Sequence, residues 1–357
     1  MCTIIQAPDL RRVRSHPDFW YPVAWSRDLK PGKVLATTFA GDPIAVVRPA
    51  QGPVYALEDR CAHRQVPLSG GVVAECGLRC GYHGWTYNST GACVDVPYLR
   101  GKMPNGVKAY PCREQAGVIF VFPGDPALAN EVPFPDLTAA QDKAFRTRRF
   151  GQVVKCHYSF MHENLMDMNH QFLHRKQMGY IRPRYRGLRN GPGRIEVDYS
   201  FAREGGKQPW GEAAILGQRR GTAVGQFRDL MTIRTEYPYQ TLNIWTDSDA
   251  PVMNLWIAYT PQDKAQRANR TFGLLSVRRP KPGFLLDLGW PALVWFTDRI
   301  FTEDREIVEQ EQAAHDRQGR DCNQELFPPI LALRDLLLAC GVPEQPEFLQ
   351  ERAREFS

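Results

Sequence analysis

The chain has 357 residues, 43% hydrophobic and 24% charged, the balance of a globular protein with one large domain or two ordinary ones. A net charge of +6 without a dense Lys/Arg block argues against a nucleic-acid tail. The nine cysteines are scattered over a chain too long to need disulfide staples; they fit a reducing cytoplasm, where Cys/His clusters suggest metal.

In chain order, a polar arm over 1–18 carries Asp9, Arg11, Arg12 and Arg14, which break any apolar run and argue against a signal peptide. From FWYPVAWSRDL (19–29), short apolar runs alternate with the turn signals PGK, GDP, QGP and PGD, predicting a small all-β domain over 19–135. PALANEVPFPDL (126–137) has the proline content of a linker. The remaining 136–357 open with a helical stretch around 160–176. The alternating runs RIEVDYSF (194–201), MTIRTEY (231–237), TLNIWT (241–246) and FGLLSV (272–277) then predict antiparallel strands with one buried face. TEDREIVEQEQAAHD, following Phe301, and ILALRDLLLAC (330–340) are rich in helix formers, which makes this second domain α+β. FLLDLGWPALVWFTDRIF (284–301) is interrupted by Asp287, Pro291 and Asp298 and reads as buried rather than membrane-spanning. RPRYRGLR (182–189) and Arg219 with Arg220 read as solvated loop charges; the alternative is docking of an acidic partner or anionic substrate.

Two constellations carry chemistry. The first is Cys61-x-His63, sixteen residues, then Cys80-x-x-His83, each pair in a Gly-rich turn, so that two loops can close on one object. Structural zinc sites pair Cys with Cys and His with His, whereas here each half contributes one thiolate and one imidazole. Cys76 and Cys93 lack ligand spacing and read as small core residues.

The second is NLMDMNHQFLHR (164–175), where helical spacing puts Asp167, His170 and His174 on one face with Glu163 a turn earlier. A zinc peptidase would need a general base after the first histidine, and that residue is Gln171. Two histidines and a carboxylate on one side of Fe(II) leave positions open for water, dioxygen and substrate. Besides Asp167, the later run FTEDREIVEQEQ offers carboxylates at Glu303, Asp304, Glu306 and Glu309. His157 and His162 match no ligand position and read as packing residues. Trp245, Trp256 and Tyr259 could line a cavity or fill the core.

Together these motifs resemble the Rieske non-haem iron oxygenases. The likeness includes Pro67-Leu68-Ser69, Gly81-Tyr82-His83-Gly84-Trp85, the D-x2-H-x3-4-H spacing and Asn164 three residues before its Asp. It implies a [2Fe–2S] cluster with Cys61 and Cys80 on one iron and His63 and His83 on the other, at roughly −150 to +300 mV. Val66 and Tyr82 stand where respiratory Rieske proteins carry a disulfide. By the same resemblance His170 and His174 bind mononuclear Fe(II), Asp304 completes the set, and the Asp167 carboxylate links the histidines of the two centres. The implied fold is a Rieske all-β domain followed by a helix-grip (START-like) catalytic domain with an antiparallel sheet and a long C-terminal helix.

The implied activity is that of a terminal oxygenase. It would use O2 and electrons from NAD(P)H, delivered through a separate reductase and/or ferredoxin, because no dinucleotide-binding fingerprint is present. The substrate would be a small organic, aromatic molecule, hydroxylated or oxidatively demethylated. The chain's shortness favours monooxygenation over the alternative, a cis-dihydroxylating dioxygenase; a pure electron carrier and a zinc-stabilised module are the readings from other classes. A head-to-tail homotrimer is implied, with Asp167 of one chain meeting His83 of the next. Nucleic acid and stable membrane insertion are not expected.

Overall fold

The computed structural model describes residues 9–205, 230–246 and 250–344; Arg219 and Arg220 fall outside them. The described residues divide into two compact units, 16–137 with 260–266, and the remainder.

The first unit is built of short strands. Lys33–Phe39 pairs with Asp42–Arg48 in register Phe39↔Asp42, and the connection needs positive φ at Ala40 (49°) and Gly41 (86°), the geometry of a tight hairpin turn. Tyr55–Glu58 and Ala109–Tyr110 complete this four-stranded sheet. A three-stranded sheet joins Cys112–Gln115, Val118–Val121 and Tyr21–Trp25, and alternate residues of both sheets (Ile44, Val46, Ile119, Val121) share one core. A third sheet of four strands, from Val72–Ala74 to Cys93–Asp95, supplies a second core in which Leu57, Leu68, Leu78 and Tyr87 surround Cys61 and Cys80. Cys93 is buried as expected of a small core residue, but Cys76 is exposed. The proline-rich 126–137 opens with the 3-10 turn Pro126–Asn130, capped by the Asp125 carboxylate.

The second unit carries an eight-stranded sheet. Its path runs Phe145–Phe150, Asn269–Arg278, Met253–Pro261, Tyr239–Trp245, Leu230–Glu236, Arg194–Gly205 and Tyr180–Gly191, with Val153–Val154 also pairing to Asn269–Arg278. RPRYRGLR is therefore a strand and not a loop: period-two alternation of Arg with Ile, Tyr and Leu outweighs its Pro183, and Arg189 pairs with Glu196 and Asp198 of the next strand.

The long helix Phe284–Gln318 starts well before the acidic run and ends at Gly319, whose φ of +69° is the left-handed stop. The segment 284–301 is thus only half buried. Leu286, Leu293 and Phe296 face inward, while Phe284, Leu288 and Trp295 are exposed. Arg148 binds the helix through the Val294 carbonyl, Thr297 and Asp298, and Phe150 stacks on Phe301 at 4.0 Å. A last helix, Pro328–Cys340, buries Ile330, Leu333, Leu336 and Leu337. Among the described residues no helix is long and apolar enough to cross a membrane.

Candidate metal centres

Cys61–His63 and Cys80–His83 occupy two turns, each closed by backbone hydrogen bonds (Cys61 N–H to Val66 O, Cys80 N–H to Trp85 O). Glycine is required where the turns meet, since a Cβ on Gly81 would lie 2.9 Å from the Gly70 carbonyl and one on Gly71 only 2.1 Å from that of Arg79. The buried Asp59 carboxylate fixes the first turn by accepting from Ser69 N–H and Oγ–H, both at 2.6 Å. The two thiols point inward, buried, whereas His63 is half-buried and His83 exposed. Their rings lie 4.6 Å apart, with His63 stacked on Trp85. Burial is the main cause raising the Cys80 thiol pKa, with Cys61 adding to it.

His63 Nδ1 is buried and has no hydrogen-bond partner. That orphaned nitrogen, with the His83 ring beside it and two buried thiols in the same pair of turns, fits a cluster site. Tyr87 tunes one sulfur. Its hydroxyl accepts from Ala62 N–H at 3.1 Å and lies 3.2 Å from Cys61 Sγ, so its own proton is left for the sulfur. Burial, then the sulfur, raise the Tyr87 pKa, which keeps the phenol protonated. Sequence reasoning missed this residue, whose only signal is a tyrosine four positions past His83.

The second set is built differently from the expected continuous helix. Tyr158–Met166 is α-helical, Asp167 turns extended (ψ 94°), a 3-10 turn covers Met168–Phe172, and a short helix Arg175–Met178 follows. Asp167 causes the break because its carboxylate Oδ1 accepts from Asn169 N–H and Nδ2–H, both at 2.8 Å, offering the backbone a local alternative to the helix. The sheet holds the end of this helix: Tyr199 Oη donates to the freed Met166 O at 2.9 Å, and Gln240 Nε2 donates to His162 O at 3.0 Å. Glu163 does not share a face with the histidines; it pairs with Arg11 and Arg334.

His170 and His174 nevertheless converge, and Asp304 reaches them from the long helix. One ligand atom from each of the three lies within 4.8 Å of the others. His170 Nδ1–H donates to the Asp167 backbone carbonyl, and His174 Nδ1–H donates to Glu303 Oε2 at 2.8 Å, so both Nε2 lone pairs face inward. Asp304 Oδ1 stands 3.8 Å from His170 Nε2 and 3.1 Å from His174 Nε2. The buried His174 Nε2 and Asp304 Oδ1 make no hydrogen bond. Three acceptors pointed at one small space repel one another unless a cation holds them, and two imidazoles plus one carboxylate suit ferrous iron.

Burial opposes a charged His174, but its contacts with Asp304 and Glu303 prevail and raise its pKa. Glu303 was not distinguished from Glu306 or Glu309 by sequence; its second oxygen accepts from Gln177 Nε2 at 2.6 Å, which steadies it against His174.

Two cavities meet Asp304. An apolar one of about 140 Å³ touches His170 and His174. A more polar one of about 150 Å³ includes Asn164, Gln152 and Tyr259. Asn164 thus lies beside Asp304 in that second cavity, not against the histidines. Trp256 is a core residue packed on Tyr239, and Tyr259 is buried with its hydroxyl on Gln240. His157 and His162 are packing residues: His157 Nδ1 meets Ser159 Oγ at 2.8 Å, and burial drives the His162 pKa down to about 3.

Comparison with known proteins adds an independent line. Residues 19–111 match the Rieske [2Fe-2S] domain and residues 154–329 match the vanillate O-demethylase oxygenase C-terminal domain. The chain is 32% identical to the 4beta-methylsterol monooxygenase of Methylococcus capsulatus, over 93% of this chain and 91% of that one. It is 38% identical to the oxygenase component of dicamba O-demethylase from Stenotrophomonas maltophilia, over 44% of this chain and 47% of the other. The crystal structure of dicamba monooxygenase bound to dicamba superposes with a TM-score of 0.72 at 23% identity, covering 93% and 97% of the two chains.

Proposed function

Because the chain belongs to the Rieske non-haem iron oxygenases, we propose that it is the terminal oxygenase of a monooxygenase system that hydroxylates, and where a methyl group is the target oxidatively removes, a carbon of a small organic substrate. The observation that carries this reading is the convergence of His170, His174 and Asp304 on the wall of an apolar cavity, with His174 Nε2 and Asp304 Oδ1 buried and unpartnered. When bound, the cluster at Cys61, His63, Cys80 and His83 supplies electrons singly, and ferrous iron at the second site activates dioxygen.

The chain's own residues do the positioning. Asp167 O and Glu303 fix the tautomers of the two imidazoles so that each offers Nε2. The apolar walls exclude water from the reacting carbon. Electrons come from a separate reductase and/or ferredoxin and leave the cluster through the imidazole edge around His83.

The assembly we propose is a cytoplasmic homotrimer packed head to tail. Oδ1 of Asp167 is held by Asn169, so Oδ2 is the oxygen that would take the ring N–H of a neighbouring chain's His83. The domain division we adopt is 19–135 for electron transfer and 136–357 for catalysis, behind an arm of 18 residues. The test is substrate-dependent O2 uptake with a generic reductase, scoring formaldehyde and hydroxylated product. Cis-diol formation instead would favour dioxygenation, and no uptake with any substrate would remove the reading.

A further inference from the structure

We propose that Gln171 is the specificity-determining residue of the cavity beside His170, and that it selects a neutral, largely aliphatic substrate anchored through one hydroxyl group. The proposal rests on the oxygenase reading above, because it takes that cavity as the place where substrate meets the metal.

Gln171 follows His170 in the 3-10 turn and lines the cavity. It is 9% exposed, and its Oε1 is buried without any hydrogen-bond partner. A buried amide oxygen left unpaired is costly and is retained where something supplies a donor. Other polar groups on this wall are occupied. Thr297 Oγ–H donates to the Leu293 carbonyl at 2.9 Å and Thr297 accepts from Arg148, while His170, His174 and Asp304 face one another. Among the described lining residues, Gln171 is therefore the polar side chain outside the metal set whose oxygen lacks a partner.

The rest of the wall sets the class of molecule. Met168, Met178, Met231 and Met253, half of the chain's eight methionines, line it beside Leu242 and Phe296. Methionine is unbranched and polarizable and moulds itself to irregular apolar surfaces. No described lining residue is Arg or Lys, so away from the metal an anionic group would enter uncompensated. A cationic group would meet no carboxylate among the described lining residues but Asp304, which the metal engages. A hydroxyl meets neither obstacle: it donates to Oε1 and needs no charge. Anchored there, it also sets which carbon of the skeleton faces His170 and His174.

Anaerobic calorimetry on the iron-loaded enzyme tests this with three probes of one skeleton: 4,4-dimethylcyclohexanol, its methyl ether and 4,4-dimethylcyclohexanecarboxylate. The alcohol is expected to bind roughly tenfold or more tightly than the ether, which cannot donate, and the carboxylate weakest of all. In Gln171→Met, which matches the walls in shape, alcohol and ether should bind within about twofold of each other, with ether affinity kept and iron content unchanged. Gln171→Leu serves as a second variant for the same ratio. An unchanged alcohol-to-ether ratio in both variants overturns the proposal, as does a wild type that prefers the carboxylate or binds none of the three. Iron content and O2 uptake of the wild type separate the two levels. Normal uptake with unchanged selectivity removes only the Gln171 anchor, whereas absence of mononuclear iron removes the oxygenase reading beneath it.

Discussion

Cys61, His63, Cys80 and His83 sit in two tight turns of one small β unit, held in place by glycines that leave no room for a side chain. His170, His174 and Asp304 come from a broken helix and from a long helix more than a hundred residues later, and neighbouring side chains hold their positions. The first arrangement is set by the backbone, so its weak points are glycines. The second is set by partners such as Glu303, Gln177 and the Asp167 carbonyl, so its response to substitution should be graded.

The largest effect that would sharpen this contrast is removal of a histidine of the second set. His170→Ala or His174→Ala should lower product formation roughly a thousandfold or more, with loss of the mononuclear iron and retention of the cluster's visible absorption. If the cluster were lost as well, the two sets would not be independent.

Asp167→Asn should come next, with turnover down about a hundredfold at unchanged iron content, because the backbone carbonyl that orients His170 is kept while the carboxylate is removed. Single-turnover kinetics from a pre-reduced cluster would locate that loss in electron delivery; full turnover would take Asp167 out of the route.

Glu303→Gln should weaken iron binding about tenfold, measured by chelator competition, since the His174 ring would lose its anionic support. Smallest is Tyr87→Phe. Loss of one hydrogen bond to the Cys61 sulfur, about 1 kcal/mol in a one-electron couple, should lower the cluster potential by roughly 40 mV in protein-film voltammetry.

The same contrast governs what was legible in the sequence. The cluster turns are local, and their ligands, prolines and glycines lie within twenty-five residues, so spacing alone outlines them. The strands of both units follow from alternation, but the one carrying Arg182 to Arg189 was obscured by its charge density and its proline. At the second set, the spacing of His170 and His174 suggests one helix. The Asx turn of Asp167 overrides that period, because a short acidic side chain can satisfy its own backbone. The acidic run narrows the carboxylate to four neighbours, and Asp304 is the one that faces Nε2 of both histidines. The role of Glu303 against His174, like the ion pairing of Glu163 with Arg11 and Arg334, depends on tertiary pairings to which no local pattern corresponds.

Glu303 and Asp304 are consecutive on one helix and approach opposite nitrogens of the same His174 ring, at 2.8 and 3.1 Å. Held through Nδ1 by Glu303, buried and already facing Asp304, that ring retains little torsional freedom to surrender when an ion arrives. Loading should therefore be governed by stripping water from the ion rather than by gathering the ligands, and a chelated, metal-depleted enzyme should recover at a rate set by the metal chosen.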